Sequence, residues 1–546
     1  MDPRPTRAPG PGPRPGRPPR WIALLGLVAA LVAGEARAAA PARPNVVIFL
    51  ADDLGFSDLG CYGGEIATPH LDGLAATGVR FTNFTNTARC WSSRAALLTG
   101  YYPQQVNRDP PGRRPAWAAL LPELLRPAGY RSYHSGKWHV AGPVLAGGFD
   151  RSYHLEDPDH NFAPTDHRLD DRPLPRPAPD GGYYSSTAIA ARAVDWLAEH
   201  EAGPRDAPFL LYVAFTAPHF PLQAPPEDIA RYRDRYRVGW DQIRRERHER
   251  QRALGLLDGE LSPLEAGAVP AWNPTEGVLR EKIGPGEVGR AVPWDSLTPE
   301  QRDFQAGKMA IHAAMVDRMD REVGRVLAKL AAIGHRDDTL VLFASDNGAS
   351  AEQLIRGDGH DPAAPPGSAR TFLGLGPGWS GAANTPFRLH KSWVHEGGIA
   401  TPFIASWPAG IAARGELRHT PAHLVDVVPT LLDLADLAPP AARGGAARPP
   451  LPGRSLVPAL DADARVERDC LYFGHIGHRA LRVGDWKLVA VKDGPWELYD
   501  LARDRVELHD LAAARPEKVR ELADLWGRRD EEFRRQGATG TPSPAP

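Results

Sequence analysis

Residues 44–55 read PNVVIFLADDLG, an apolar, β-branched run that ends at two adjacent carboxylates and a glycine. The pattern predicts a strand buried on both faces of a parallel sheet, with Asp52 and Asp53 at its carboxyl end. Two later runs repeat this arrangement: APFLLYVAFTAPHFP (207–221), which ends near His219, and DDTLVLFASDNG (337–348), which ends at Asp346 and Asn347. Because ligands of open α/β sheets bind at the carboxyl ends of the strands, the three runs predict one composite site.

Helical patterns separate the predicted strands. Residues 185–200 and 307–334 place apolar side chains at i, i+3, i+4 and i+7, and residues 423–437 are interpreted as a further packing helix. Strand–helix alternation with long loops predicts an α/β fold. In that fold a large, mainly parallel or mixed β-sheet is sandwiched by helices over residues 44–440.

A smaller C-terminal α+β subdomain with an antiparallel sheet is predicted for residues 465–540. A linker rich in Pro, Gly and Ala precedes it over residues 441–464. Within the subdomain, short alternating segments are broken by Gly-Asp and Asp-Gly pairs, which is the pattern of an antiparallel meander. An amphipathic helical run follows the meander.

The first 40 residues predict a secretory signal peptide with its flank. A basic, Pro-rich start is followed by the apolar run WIALLGLVAALVAG (21–34) and by small residues suited to cleavage. The run is short for a membrane span, an uncleaved anchor is the alternative, and no later stretch is apolar enough to cross a bilayer. We therefore expect an exported protein, periplasmic or extracellular, with no membrane span after signal removal. Its three cysteines leave at least one thiol unpaired.

The net charge argues against nucleic-acid binding, and one arginine-rich segment allows two interpretations. A net charge of −2 indicates no preference of the whole protein for nucleic acid. Residues 231–252, however, hold nine arginines against four acids. This segment is either a face for a polyanion or a solvated helix crossed by Arg–Glu pairs, and we favour the second interpretation.

Oxygen ligands dominate the predicted site. Asp52, Asp53, Asp346 and Asn347 offer carboxylate and amide oxygens without a thiolate cluster, a donor set that suits a hard cation such as Ca²⁺ or Mg²⁺. Basic side chains are spread through other loops: Lys137 and His139 in SYHSGKWH, His219 in TAPHFP and Lys391 in TPFRLHKSWVHEGG. Together they are interpreted as a cage for a tetrahedral oxyanion beside a metal.

From about residue 44 to beyond residue 400 the chain resembles the type I sulfatases of the alkaline phosphatase superfamily. The resemblance rests on six stretches in the family's order: PNVVIFLADDLG, CWSSRAALLTG, GKWH, APH, SDNG and KSWVHEGGIATPFIASWP. It implies an alkaline phosphatase-like fold with a catalytic domain over residues 44–440. It also implies a sulfuric ester hydrolase that splits aryl or carbohydrate sulfate monoesters at the S–O bond.

The resemblance also assigns the chemistry to Cys90. In the family, the cysteine of a C-x-P-x-R motif is oxidised to formylglycine by a formylglycine-generating enzyme, and the hydrated aldehyde is the nucleophile. Arg94 lies four residues further on, where i and i+4 side chains of a helix share a face. Ser92 departs from the family's proline, so conversion of Cys90 is expected but an unconverted protein is the alternative.

The resemblance adds residue 90 to the oxygen ligands already identified and favours one ion. One divalent cation is expected, Ca²⁺ with Mg²⁺ as the alternative, and its ligands would be Asp52, Asp53, residue 90 after conversion of Cys90, Asp346 and Asn347. Asp346 would also take the proton of the attacking hydroxyl.

The remaining catalytic roles are likewise implied by the resemblance. Arg94 and Lys137 would stabilise the alkoxide that develops on residue 90. His139 would accept the proton of the second hydroxyl, which releases sulfate and restores the aldehyde. His219 and Lys391 would neutralise sulfate oxygens and assist departure of the alcohol.

Two other functions stay open at this point. A phosphoester or phosphonate hydrolase of the same superfamily would share the metal cage, although two zinc ions would need extra His and Asp ligands. An unconverted Cys90 would leave a pseudo-enzyme that binds sulfated glycans, and Ser92 is the only feature that favours it. For the sulfated small-molecule or oligosaccharide substrate, residues 157–177 and 356–381 are the predicted recognition loops.

Overall fold

The computed structural model describes residues 43–178, 181–204, 207–355 and 360–538, together with the isolated residues 1, 2 and 10. The predicted signal peptide within residues 1–40, apart from those three positions, lies outside the described residues. In the described part of the chain, no helix combines the length and the apolar character needed to cross a bilayer.

A ten-stranded sheet forms the centre of the fold. Five neighbouring strands in its middle run parallel, and an antiparallel strand flanks them on each side. In chain order the strands are β1 (Asn45–Ala51), β2 (Val79–Phe81), β3 (Arg131–Gly136), β4 (Arg151–Leu155), β5 (His167–Leu169), β6 (Arg172–Pro173), β7 (Phe209–Ala214), β8 (Thr339–Ser345), β9 (Phe403–Ser406) and β10 (Glu416–Arg418). Their order across the sheet is β10-β2-β9-β8-β1-β7-β3-β4-β5-β6. The predicted large, mixed and mainly parallel sheet is confirmed.

Strand β1 lies between the two other strands that the sequence singled out. Val47 is paired with Leu211 of β7 on one side and with Val341 of β8 on the other. All seven residues of β1 are buried. Because the three strands are parallel and adjacent, their carboxyl ends meet at one edge of the sheet.

Apolar layers cover both faces of this sheet. Val47 and Phe49 of β1 belong to one core cluster, whereas Val46 and Ile48 belong to another. Successive side chains of a strand point to opposite faces, so a continuous apolar run can be buried only if both faces are covered. This is why the run at residues 44–55 could be read as a central strand.

Helices pack around the sheet and fill the loops. The α-helices of the described residues are α1 (Pro69–Ala76), α2 (Cys90–Thr99), α3 (Leu121–Leu125), α4 (Ser185–Glu201), α5 (Pro226–Ala230), α6 (Trp240–Ala253), α7 (Glu276–Lys282), α8 (Pro299–Ala332), α9 (Gly376–Ala383), α10 (Glu396–Ile399), α11 (Val427–Leu434), α12 (Val457–Asp461) and α13 (Pro516–Ala538). Helix α4 matches the helix predicted for residues 185–200.

Helix α8 begins at Pro299, earlier than the predicted start at residue 307. Thr298 and Gln301 form a capping box: the Gln301 N–H donates to Thr298 Oγ1 at 3.2 Å, and the Thr298 N–H donates to Gln301 Oε1 at 2.9 Å. The first two turns, PEQRDFQ, are mostly polar, so apolar periodicity could not reveal them. Helix α11 is shorter than the predicted 423–437, because a 3₁₀ turn, Leu424–Asp426, precedes it.

A four-stranded antiparallel sheet follows, as predicted for the C-terminal part. Its strands lie in chain order: β11 (Leu471–His475), β12 (His478–Val483), β13 (Trp486–Ala490) and β14 (Glu497–Asp500). One apolar cluster joins Leu522 of α13 to Tyr472 of β11 and to Tyr102, which follows α2. Residues 441–464 contain a short two-stranded ladder and α12. The domain boundaries stay a prediction.

The arginine-rich segment 231–252 is fixed by internal ion pairs, which confirms the Arg–Glu interpretation. Arg247 pairs with both Asp58 and Glu65 at 2.8 Å, and Arg250 reaches Glu65 at 3.3 Å. The Arg247 side chain is fully buried, however, so the expectation of a solvated helix was wrong for this position. Helix α6 uses these cations to hold the loop after β1.

Replacing Arg247 by alanine should lower the free energy of unfolding by about 3–5 kcal/mol, because two buried carboxylates would lose their counter-charge. Urea denaturation followed by circular dichroism measures the change. Arg245→Ala is the matched control, since Arg245 is exposed on the same helix and contacts Gln242; it should change stability by no more than about 0.5 kcal/mol. Equal effects of the two variants would contradict the role given to the buried pair.

Candidate active site

Neighbouring strand ends deliver the acidic side chains. Asp52 and Asp53 follow β1, and Asp346 and Asn347 follow β8. The Asp52 N–H donates to Ala217 O at 3.1 Å, which ties the end of β1 to the loop after β7. The Asp53 N–H donates to Asp346 Oδ1 at 3.3 Å. Residues far apart in sequence therefore meet at the carboxyl edge of the sheet.

Arg94 and Lys137 neutralise the carboxylates of Asp52 and Asp346. Lys137 Nζ lies 2.5 Å from Asp52 Oδ2. Arg94 contacts Asp346 Oδ2 through Nε at 2.9 Å and Nη2 at 2.8 Å, and its Nη2 lies 3.5 Å from Asp52 Oδ2. All four groups are buried. Since a buried charge without a partner is strongly destabilising, each of these groups depends on the others.

Asp53 is surrounded by a second set of contacts. Its Oδ1 accepts a hydrogen bond from Asn347 Nδ2 at 2.7 Å and lies 2.8 Å from Lys391 Nζ. His219 Nε2 lies 3.8 Å from Asp53 Oδ2. Lys391 also pairs with Glu352 at 3.1 Å. Asp53 thus connects the predicted oxyanion cage to the predicted metal ligands.

Helix α2 begins at Cys90 and places its first turn beside these charges. Cys90 and Arg94 are both buried and one turn apart, as the spacing predicted. The neighbours of Cys90 contact the cage on both sides: Arg89 pairs with Glu352, the partner of Lys391, and the Trp91 ring meets the His139 ring. The start of a helix also adds partial positive charge. The structure brings the predicted nucleophile position and the predicted cage together.

Two histidines of the site are electrically neutral at pH 7. Burial and the nearby Lys137 charge lower the pKa of His139 to about 2. Burial lowers the pKa of His219 to about 4. The His139 ring also meets the Trp91 ring edge-on, with centroids 5.7 Å apart. Both imidazoles are therefore held in the neutral form in this structure.

The pKa values of Asp52 and Asp346 are shifted in opposite directions. Burial alone would raise the pKa of Asp52, but the Lys137 charge holds it well below its usual value. Burial and the neighbouring Asp52 charge together raise the pKa of Asp346 well above its usual value, against the pull of Arg94. Because two carboxylates in one dry pocket repel each other, additional positive charge there would be favourable.

The buried acidic cluster is compatible with a metal ion. Asp52 Oδ1 and Asn347 Oδ1 are buried without a hydrogen-bond partner, which is costly for such acceptors unless something else satisfies them. Donor atoms of Asp52, Asp53 and His219 lie within 4.8 Å of one another, and no other group of this kind occurs in the described residues. His219 was predicted to contact sulfate, and its position beside Asp53 also places it at the metal cluster.

Sequence reasoning missed three residues beside this pocket. Glu352 is 3% exposed and pairs with Lys391 at 3.1 Å and with Arg89 at 3.0 Å. Arg89 and Trp91 flank Cys90, and that adjacency was the signal that could have identified them. Glu352 follows β8 in a loop without any repeating pattern, so only its tertiary pairing reveals it.

The two predicted recognition loops meet each other. The His160 ring of the loop 157–177 lies 6.1 Å from the Phe372 ring of the loop 356–381. The Asn161 N–H donates to Gln223 Oε1 at 3.1 Å, on the segment that follows His219. Residues 356–359 lie outside the described part. A role of these loops in substrate recognition stays a prediction.

Comparison with known proteins identifies the family. A family model described as Sulfatase matches residues 44–437, and one described as N-sulphoglucosamine sulphohydrolase, C-terminal, matches residues 387–528. An uncharacterised sulfatase of Schizosaccharomyces pombe is 32% identical, with 82% of this chain and 86% of that protein covered. An arylsulfatase of Klebsiella aerogenes is 31% identical, with 76% and 92% covered.

The fold is shared with solved structures as well. The crystal structure of Ps i-CgsB superposes with a TM-score of 0.64 at 22% identity, covering 91% of this chain and 94% of that one. The sequence-based resemblance is confirmed: the chain belongs to the sulfatase family, a class of sulfuric ester hydrolases.

Ca²⁺ should raise the thermal midpoint of the purified protein, because a bound cation stabilises the folded state by mass action and relieves the repulsion among buried carboxylates. Asp53→Asn should remove most of this shift, and calorimetry should show correspondingly weaker Ca²⁺ binding. Asp433→Asn is the control, since Asp433 is exposed and contacts Ser455. A full Ca²⁺ response in Asp53→Asn would place the ion elsewhere, and a parallel Mg²⁺ titration compares the two ions.

Proposed function

We propose that this sulfatase hydrolyses aryl or carbohydrate sulfate monoesters by S–O cleavage, producing an alcohol and inorganic sulfate. One observation carries the proposal. The buried acids that follow β1 and β8 are matched by Arg94, Lys137 and Lys391, and this charged pocket lies at the first turn of α2, where Cys90 begins the helix. A bound sulfate ester would contact these cationic side chains and the side chain of residue 90 there.

One divalent cation belongs to this proposal, with Ca²⁺ preferred. The carboxylate and amide oxygens of the proposed ligands support a hard ion, and His219 beside Asp53 is assigned to the leaving alcohol instead of the ion. The ligands would be Asp52, Asp53, Asp346, Asn347 and residue 90 after its modification. When bound, the cation would polarise oxygen atoms and make a hydroxyl group more acidic at neutral pH.

Residue 90 would supply the nucleophile after a formylglycine-generating enzyme has converted Cys90 to formylglycine. The hydrated aldehyde carries two hydroxyl groups, one to attack sulfur and one whose deprotonation afterwards releases sulfate. A cysteine thiol has no second hydroxyl and could not complete the cycle. Burial of residue 90 keeps bulk water away from the covalent sulfate ester.

Proton transfers would be divided between Asp346 and His139. Asp346 is oriented by two nitrogens of Arg94 and by the Asp53 N–H, so its carboxylate can take the proton of the attacking hydroxyl in a defined geometry. His139 is neutral because burial and Lys137 disfavour its charged form, and a sulfate ester on residue 90 would add the negative charge that lets it accept the proton of the second hydroxyl.

Arg94 and Lys137 would stabilise the alkoxide that develops on residue 90, and Lys391 with His219 would neutralise the sulfate oxygens. Lys137 and Arg94 face the carboxylate side of the pocket, and Lys391 is anchored between Asp53 and Glu352. Such preorganised donors cost no rearrangement when charge develops in the transition state. His219, beside Asp53, would assist departure of the alcohol.

Export of the protein is part of the proposal. The basic start, the apolar run and the small residues within residues 1–40 support a secretory signal. The periplasm or the extracellular space would then be the place where the enzyme meets its sulfated substrates.

Turnover of 4-nitrophenyl sulfate should exceed that of 4-nitrophenyl phosphate by roughly two orders of magnitude in kcat/KM, because the site offers a single-cation donor set. Cys90→Ala should reduce sulfate release by about 10³-fold or more, since no other group in the site can replace the nucleophile. Cys470→Ala, which alters a thiol in the C-terminal part, is the control and should retain activity. A preference for phosphate would instead support the phosphoester hydrolase alternative.

The mass of the tryptic peptide 90–94 should correspond to formylglycine in protein from an exporting host. Ser92 occupies the first turn of α2, where its hydroxyl donates to Arg89 O at 2.9 Å. A proline fits the first turn of a helix. Ser92→Pro should therefore fold normally and contain as much formylglycine as the natural sequence or more. An unmodified cysteine in both proteins would favour the sulfated-glycan-binding pseudo-enzyme.

A further inference from the structure

Two tryptophans beside residue 90 are not used by the proposed chemistry. The Arg89 guanidinium carbon lies 4.7 Å from the centroid of the Trp91 ring and 5.7 Å from that of Trp272. Trp91 belongs to the first turn of α2, whereas Trp272 belongs to the loop before α7. Two indole rings from distant segments therefore converge around one guanidinium at the edge of the active site.

Trp272 is 42% exposed, yet its position is fixed by hydrogen bonds. Its Nε1 donates to Glu352 Oε1 at 2.9 Å, and Glu352 pairs in turn with Lys391. The neighbouring Asn273 bonds the backbone on both sides of Glu352, at 3.0 and 3.1 Å. A large aromatic side chain is thus held in solvent at a set distance from the sulfate-binding cations.

Trp91 offers a polar group in addition to its ring. Its Nε1 is buried and has no hydrogen-bond partner, whereas a buried indole N–H usually finds an acceptor. The ring meets His139 and His475 edge-on, each at a centroid distance of 5.7 Å. An oxygen on a bound substrate would satisfy this donor.

We propose that Trp91 and Trp272 form a subsite for a flat, ring-shaped leaving group of the sulfate ester. The group presents either an aryl ring or the apolar face of a pyranose, and the Trp91 N–H donates to an oxygen that it carries. The exposed Trp272 indole would bind such a ring through buried apolar area and favourable ring geometry, and the Arg89 guanidinium, which lies over both indoles, would line the same subsite. This inference rests on the proposed function and deepens it, because it names the shape of the alcohol.

Substitution of Trp272 tests the subsite without touching the maturation motif around Cys90. Trp272→Ala should raise the KM by about tenfold, with kcat within about twofold, for at least one of two ring-bearing esters, 4-nitrophenyl sulfate and N-acetylglucosamine 6-sulfate. Trp272→Phe keeps a ring but lacks the Nε1 hydrogen bond to Glu352, so its KM should rise by less than that of Trp272→Ala. Inorganic sulfate has no ring, so its inhibition constant should be the same in all three proteins.

A second substrate separates the two kinds of ring. The same measurements on N-acetylglucosamine 6-sulfate assign the subsite to a pyranose if only the sugar ester is affected, and to an aryl group if only the nitrophenyl ester is affected. The proposal is overturned if neither KM changes, or if inorganic sulfate binding weakens to the same degree. Trp496→Ala, which removes a ring stacked at 4.4 Å on Arg479 in the C-terminal sheet, is the control and should leave KM unchanged.

Trp91 is tested by Trp91→Phe, which removes the N–H and keeps an aromatic ring. With rates normalised to formylglycine content, the KM for an ester with an oxygen-bearing ring should rise about fivefold, the loss expected for one hydrogen bond. An unchanged KM would remove the donor role from the proposal.

Binding to the Cys90→Ala protein separates this inference from the proposed function. By calorimetry, the double variant Cys90→Ala/Trp272→Ala should bind the ester about tenfold more weakly than Cys90→Ala alone does. This should hold for both esters or for the one that the subsite prefers. If the natural protein released no sulfate but this difference persisted, the hydrolase assignment would fail and the subsite would stand. If turnover occurred without any difference in binding, the subsite would be wrong.

Discussion

Charge balance at the carboxyl ends of β1 and β8 is the constraint on which the rest of the structure depends. Parallel pairing of these strands forces three buried carboxylates into one dry pocket, where they would repel each other strongly. The counter-charges come from three separate segments: Arg94 in α2, Lys137 after β3 and Lys391 before α10. The pocket is therefore complete only when all these segments are docked on the sheet.

The C-terminal sheet contributes to that docking rather than forming an independent unit. Lys487 of β13 and Arg505, which follows β14, both pair with the buried Glu396 of α10, at 2.8 and 2.6 Å. Because α10 lies just beyond Lys391, these pairs support the loop that carries this buried cation. The same packing brings His475 of β11 against Trp91, next to the reactive position.

Glu352 links the exposed Trp272 to the buried cations of the site. Glu352 accepts from the Trp272 indole and pairs with Lys391 and Arg89, so it connects the exposed indole to the buried charges of the pocket. Burying the Glu352 carboxylate costs desolvation free energy. Pairing of both its oxygens offsets this cost. The exposed Trp272 indole and the buried Lys391 are therefore held by one carboxylate.

The sequence by itself determined the central strands, the acids that follow them and the spacing of Cys90 and Arg94, because burial of a strand and the face of a helix depend on local periodicity. It did not determine the polar first turns of α8, which apolar periodicity could not reveal. Nor did it determine the burial of Arg247 or the places of Glu352 and Trp272. Those were decided by tertiary structure alone, since the partner of a buried charge or of an indole N–H is set by which distant loops meet.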